Sequence, residues 1–111
     1  MSLIQRGKTI QQIVVDGTLL DAQAANTNGV WSNIERIVPW SLTVRGTFSA
    51  SVNILVSNQT ARPLDTDNAQ AAFQTFTAAG SGGSTIPFRW IKAQVTGYVS
   101  GAITVDLIGG A

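Results

Sequence analysis

The chain has 111 residues, 44% apolar and only 12% charged, with a net charge of +1 at pH 7 and neither cysteine nor histidine. That length suits one globular unit able to bury a core. The weak charge excludes a strong sequence-independent hold on nucleic acid, and the missing residue types exclude a disulfide framework, a thiol nucleophile, an imidazole base and most zinc sites.

The charged fraction is about half that of an ordinary soluble domain. Mean hydropathy is positive. A chain this small cannot bury all its apolar surface alone, so part of that surface is expected to meet a partner. The alternative is a monomer with a solvent face of Ser, Thr, Asn and Gln. Met1 to Ile13 holds no apolar stretch of signal-peptide length, and the longest apolar runs are too short to cross a membrane as a helix. The expected setting is a cytosol or a particle assembled in one.

In chain order, Met1 to Lys8, with Arg6 and Lys8, has no period and reads as an extended arm, either frayed or lashed onto a neighbouring subunit. The remaining residues, 9–111, read as one β-domain. Thr9 to Val15 is the first strand candidate, and Asp16-Gly17 is a two-residue turn signal that would return the chain through Thr18 to Leu20. Asp21 to Gly29 is small and polar, with Asn26-Thr27-Asn28-Gly29 as a loop, and within Val30 to Val38 the alternation of Ile34, Arg36 and Val38 with Glu35 and Ile37 fits a short strand. From Pro39, the residues Trp40, Leu42, Val44, Gly46 and Phe48 alternate with Ser41, Thr43, Arg45 and Thr47. Val52, Ile54 and Val56 then continue the buried face, so a hairpin is expected. Ser57 to Asp67 is loop-like. Asp67 to Thr77 fits either a short capped helix or a strand, and its strand-forming neighbours favour the strand. Ala78 to Ser84 (AAGSGGS) reads as a mobile loop by composition.

The strongest pattern is the last quarter. Ile91, Ala93 and Val95 alternate with Lys92, Gln94 and Thr96; Ile103, Val105 and Leu107 alternate with Thr104 and Asp106. The two runs flank a Gly-bracketed break and read as a second antiparallel hairpin. Stiff β-branched side chains and the interrupting glycines disfavour a helix. Six to eight strands with short connections give an all-β chain, an antiparallel β-sandwich or jelly roll.

The carboxylates are Asp16, Asp21, Glu35, Asp65, Asp67 and Asp106. They are scattered and mostly turn-placed, which disfavours a glycosidase pair facing across a cleft. Asp65-Thr66-Asp67-Asn68 begins like a calcium loop but has Gln70 at the sixth position and Phe76 at the twelfth, so an Asx-rich turn is the better reading. Gly80 to Ser84 lacks the Gly-Lys-Ser/Thr of a phosphate loop, and Asn58-Gln59-Thr60 is a chance glycosylation triplet. No catalytic residue, metal or cofactor is expected.

Trp40 belongs to the core face. Trp31 falls in a loop. Trp90 is out of phase with Ile91, Ala93 and Val95, so it should point outward beside Phe88 and Lys92, covered by a loop, a sugar or another subunit. With the arm residues Arg6 and Lys8, the trio Phe88, Trp90 and Lys92 forms the expected contact set.

Two segments carry a resemblance. Ser41 to Asn58, SLTVRGTFSASVNILVSN, resembles a strand–turn–strand pattern of small β-sandwich proteins from tailed bacteriophage virions. The end, PFRWIKAQVTGYVSGAITVDLIGG, resembles their closing hairpin and Gly-rich tail. Together they cover less than half of the chain. The resemblance implies a non-enzymatic virion structural protein assembled in the host cytoplasm. The implied role is head decoration (cement): a small homo-oligomer bound to a major capsid protein, with tail, baseplate or fibre as the alternative. The three tryptophans and polar loops also suggest a carbohydrate-binding module, which would need an exposed aromatic platform. An enzyme comes third.

Overall fold

The computed structural model describes residues 14–68 and 70–110, with side chains from residue 17 onward. The expected arm, with Arg6 and Lys8, and the start of the Thr9–Val15 strand lie outside the described residues. The strands are β1 (Val14–Gln23), β2 (Ser32–Asn33), β3 (Trp40–Arg45), β4 (Phe48–Ser57), β5 (Ala71–Phe76), β6 (Gly80–Ser84), β7 (Trp90–Gly101) and β8 (Ile103–Gly110). They form two antiparallel four-stranded sheets, ordered β1-β8-β3-β6 and β2-β7-β4-β5, which face each other as a sandwich.

The alternation read from the sequence builds the core. Trp40, Leu42 and Val44 of β3 and Ile103, Val105 and Leu107 of β8 point inward from one sheet. Val52, Ile54 and Val56 of β4 and Ile91, Ala93 and Val95 of β7 meet them from the other. Ile34 and Ile37 plug one end from the irregular segment after β2, where the amide of Ile37 donates to the Ile34 carbonyl at 2.9 Å. Each of these large aliphatic side chains contributes about 1.5–3 kcal/mol by leaving water.

Both expected hairpins are instead arches between the sheets. β3 pairs with β8 and β6, whereas β4 pairs with β7 and β5. β7 and β8 are likewise in different sheets. Inward alternation looks the same for a hairpin and an arch, because in both cases every second residue meets the core. The glycines at the corners decide the path. Gly46 has φ 118° and Gly101 has φ 98°, a backbone region that L side chains rarely adopt. The two corners also stack on each other. A Cβ on Gly46 would run into the Ala102 carbonyl, and one on Gly101 would meet the Thr47 carbonyl and lie 2.5 Å from Phe48 Cα. The two chain crossings therefore lie side by side, with Phe48 opposite Gly101 in one sheet and Arg45 opposite Thr104 in the other.

Three further expectations are corrected. Asp16-Gly17 makes no turn: β1 runs straight through it, with Asp16 opposite Ile108 and Gly17 opposite Leu107. An Asp-Gly pair turns the chain only when its flanks pair with each other, and here β8 supplies a longer partner. Gly80 to Ser84 is no loop but edge strand β6 on β3, Trp40 opposite Ser84 through Val44 opposite Gly80. The missing Cβ of Gly82 leaves room for Gln74 and Phe76, which lie against it. Only Ser32–Asn33 of the 30–38 segment is strand. The strand reading of 71–76 holds, and the helix alternative falls.

Gly101→Ala should destabilise the protein by about 2–4 kcal/mol, from forbidden backbone geometry and overpacking together. Gly17→Ala, where an added Cβ meets nothing within 4 Å, should stay within about 0.5 kcal/mol of the parent. Urea denaturation of the two variants checks both values.

Candidate functional site

The two sheets differ on their outer faces. On the β1-β8-β3-β6 sheet, Ser41, Thr43 and Arg45 of β3 are exposed and Thr104 and Asp106 of β8 are half-exposed. The register draws rows across the strands: Thr18, Asp106, Thr43 and Ser81 form one, and Ile108 lies opposite Ser41 in the next. Arg45 Nε donates to Asp106 Oδ2 at 2.7 Å, and the Thr18 hydroxyl donates to the same carboxylate. The Arg45 hydrogen bond, with help from its charge, holds the Asp106 carboxyl below its ordinary range. Ile108 is 54% exposed within this hydroxyl-rich surface.

The outer face of the β2-β7-β4-β5 sheet is covered. Trp90, Lys92 and Gln94 alternate outward on β7, and residues 58–68 fold over them. Lys92 is wholly buried, with 0% of its surface exposed. Its Nζ donates to the Asp65 carbonyl and to Asn68 Oδ1, both at 2.7 Å. It also lies 4.9 Å from the centre of the Trp31 ring, a cation–π distance. Burial pushes the Lys92 pKa down, and the charges of Asp65 and Asp67 oppose that shift. Trp31, Leu55, Ser57 and Pro63 are buried too, outside the cluster between the sheets.

Backbone and side-chain bonds tie the cover down. Trp31 Nε1 donates to the Leu64 carbonyl at 3.0 Å, and the Trp31 amide donates to Asp65 Oδ1 at 3.2 Å. Arg62 bridges the Trp31 carbonyl and the Asp65 carboxylate. Trp90 Nε1 donates to the Gln59 carbonyl at 3.0 Å, and the Arg89 amide donates to Asn58 Oδ1 at 2.9 Å.

This placement corrects one member of the expected contact set, Lys92. Lys92 is enclosed within its own chain, where two oxygens and the Trp31 ring face its ammonium. Trp90 is half-buried under the same loop. The Phe88 ring packs edge-on against Phe73 at 5.8 Å, and Phe73 packs against Trp40 at 5.4 Å. Trp31, with 3% of its surface exposed, offers no platform for a sugar. One sequence signal did mark the covered face. Ile54-Leu55-Val56 is an unbroken apolar run, as expected of a strand buried on both sides, and Leu55 is its outward member.

Beside the cover lies an open groove of about 340 Å³, lined by Asn26, Thr27, Asn28, Asn68, Gln94, Val95, Thr96 and Gly97. No titratable group lines it. Its amides carried no signal in the sequence, since Asn-rich loops are ordinary turn material.

No family model and no curated protein sequence matches the chain. Among solved structures, the fold is similar to that of the SPBc2 prophage-derived protein YomS, at a TM-score of 0.52 and 15% identity, with 96% of this chain and 100% of that chain covered. At that identity the likeness is one of fold.

Lys92→Met keeps the length of the side chain but strands the two oxygens that the ammonium satisfied. It should cost about 1–3 kcal/mol and speed proteolysis within residues 58–68. The folded pKa of Lys92 lies below its ordinary 10.5, so between the two values the unfolded chain binds more protons and stability rises with pH. The parent should therefore gain stability relative to Lys92→Met as pH is raised toward 10.5, measured by paired urea titrations.

Proposed function

We propose that this chain is a non-enzymatic structural protein of a phage particle, most specifically a head-decoration protein that binds the outer shell in many copies. The observation that carries the reading is the end-to-end fold likeness to a prophage-derived protein, taken with a surface that has no catalytic constellation among the described residues. The low charged fraction and the hydroxyl-rich outer face around Ile108 support it. Such a face offers flat backbone-level contact and short polar side chains, which bury with little loss of conformational freedom. Many weak copies on a repeating lattice bind with avidity that no single contact supplies. The same surface would serve a tail or baseplate component, and fractionated particles separate the two.

The partner surface proposed here differs from the set read from the sequence, because Lys92 is enclosed within the protomer and Phe88 and Trp90 are half-buried. Ile108 and its neighbours on β3 and β8 take their place.

Density-purified particles from induced cells carrying the gene should contain the chain in stoichiometric amounts by mass spectrometry, in heads rather than in detached tails. Ile108→Asp should lower its occupancy by about tenfold, the loss of a modest hot spot, with folding unchanged by circular dichroism. Complete absence of the chain from particles would overturn the reading.

A further inference from the structure

The groove beside the loop cover is lined by side chains that have turned their acceptors inward. The amide of Tyr98 donates to Asn26 Oδ1 at 2.9 Å. A backbone N–H can only donate, so the Asn26 oxygen is the engaged atom and its NH2 is left to the groove. Asn28 is set by a longer chain. The buried Lys92 ammonium, also donor only, takes Asn68 Oδ1. The Asn68 NH2 therefore points away from it and donates to Asn28 Oδ1 at 3.1 Å. The Asn28 NH2 remains. Gln94 Oε1 accepts from Asn53 Nδ2 at 3.0 Å, which leaves the Gln94 NH2. The two threonines follow the same rule. Thr27 Oγ1 accepts from the Gly29 amide and Thr96 Oγ1 from Asn53 Nδ2, so each hydroxyl hydrogen is available outward.

Five side chains thus offer hydrogens, and each has an oxygen already engaged by the protein. No carboxylate lines the groove. The nearest acids are occupied: Asp65 accepts from Arg62 Nη2 at 2.8 Å, and Asp67 accepts from Gln70 Nε2 at 2.8 Å. A cation would find no charged ligand here. A neutral sugar would find no aromatic ring to stack on. A carboxylate, which only accepts and has room for about four hydrogen bonds, matches the arrangement.

We propose that the groove formed by the 26–28 loop and β7 is a carboxylate-binding site, in which Asn26, Asn28, Gln94, Thr27 and Thr96 donate and Lys92, acting through Asn68, orients Asn28. Lys92 is a positioning residue; it is buried and does not touch the ligand. The proposal is independent of any role in a particle, since it concerns the chemistry of one protomer. The carboxylate can come from a simple organic acid or from an acidic sugar.

The test is a titration of the isotope-labelled full chain with sodium acetate, sodium glucuronate and glucose, followed by nuclear magnetic resonance of the side-chain NH2 pairs. Both carboxylates should shift the pairs of Asn26, Asn28 and Gln94 in a saturable way, and glucose should not. Tighter binding of glucuronate assigns an acidic sugar, and equal binding of the two assigns the bare carboxylate. Asn28→Asp places a like charge in the groove and should weaken binding by about tenfold or more, the worth of a hydrogen bond to a charged group. Thr96→Val serves the same purpose should Asn28→Asp fail to fold, with a smaller loss expected. Asn68→Leu, which frees the Asn28 amide to rotate, should weaken binding several-fold. NH2 pairs that ignore both carboxylates, shifts matched by glucose, or full affinity in the Asn28 or Thr96 variant would overturn the proposal.

Discussion

The sandwich depends on two chain crossings that occupy almost the same space. Gly46-Thr47 carries the chain from β3 to β4, and Gly101-Ala102 carries it from β7 to β8. Each corner glycine lies within contact distance of the other corner's backbone, and neither has room for a Cβ. That approach sets which sheet each long strand joins. With β3 and β8 together in one sheet and β4 and β7 together in the other, every apolar alternation in these four strands points at the same interior.

From that frame follows the difference between the outer faces. The β3 and β8 pair presents short hydroxyls, one ion pair and Ile108 to solvent. The β4 and β7 pair presents Leu55, Trp90 and Lys92, residues with large apolar stems, and these require cover. The 58–68 segment supplies it, as a loop whose carbonyls meet the indole of Trp31, the indole of Trp90 and the ammonium of Lys92. A buried lysine is costly unless its hydrogens are taken up. Here two oxygens and an indole face do so, and the cation in turn organises Asn68 and the neighbouring groove. One buried charge therefore links the packing of the cover to the hydrogen-bonding character of a surface some residues away.

For function, this divides the molecule. The covered face is internally engaged and presents a donor-lined groove at its border. The open face is lined by short hydroxyl side chains, one ion pair and Ile108.

Much of the fold was legible in the chain itself. Period-two alternation in 40–44, 52–56, 91–95 and 103–107 marks strands with one dry side, because pleating sends successive side chains to opposite faces. It assigns inward residues correctly whichever strands are neighbours, and for the same reason it is silent on pairing. Pairing was settled by contacts between residues far apart in sequence: Gly46 against Ala102, Gly101 against Thr47, and β8 against β1 across an Asp-Gly that reads locally as a turn. The glycine strand 80–84 was hidden because its propensity is that of a loop, and only a docked neighbour makes it a strand. The candidate site was hidden more deeply. An outward lysine and several asparagines look the same in sequence whether they meet water or each other. Only the folded loop, by removing water from Lys92 and turning Asn68, gave them a direction.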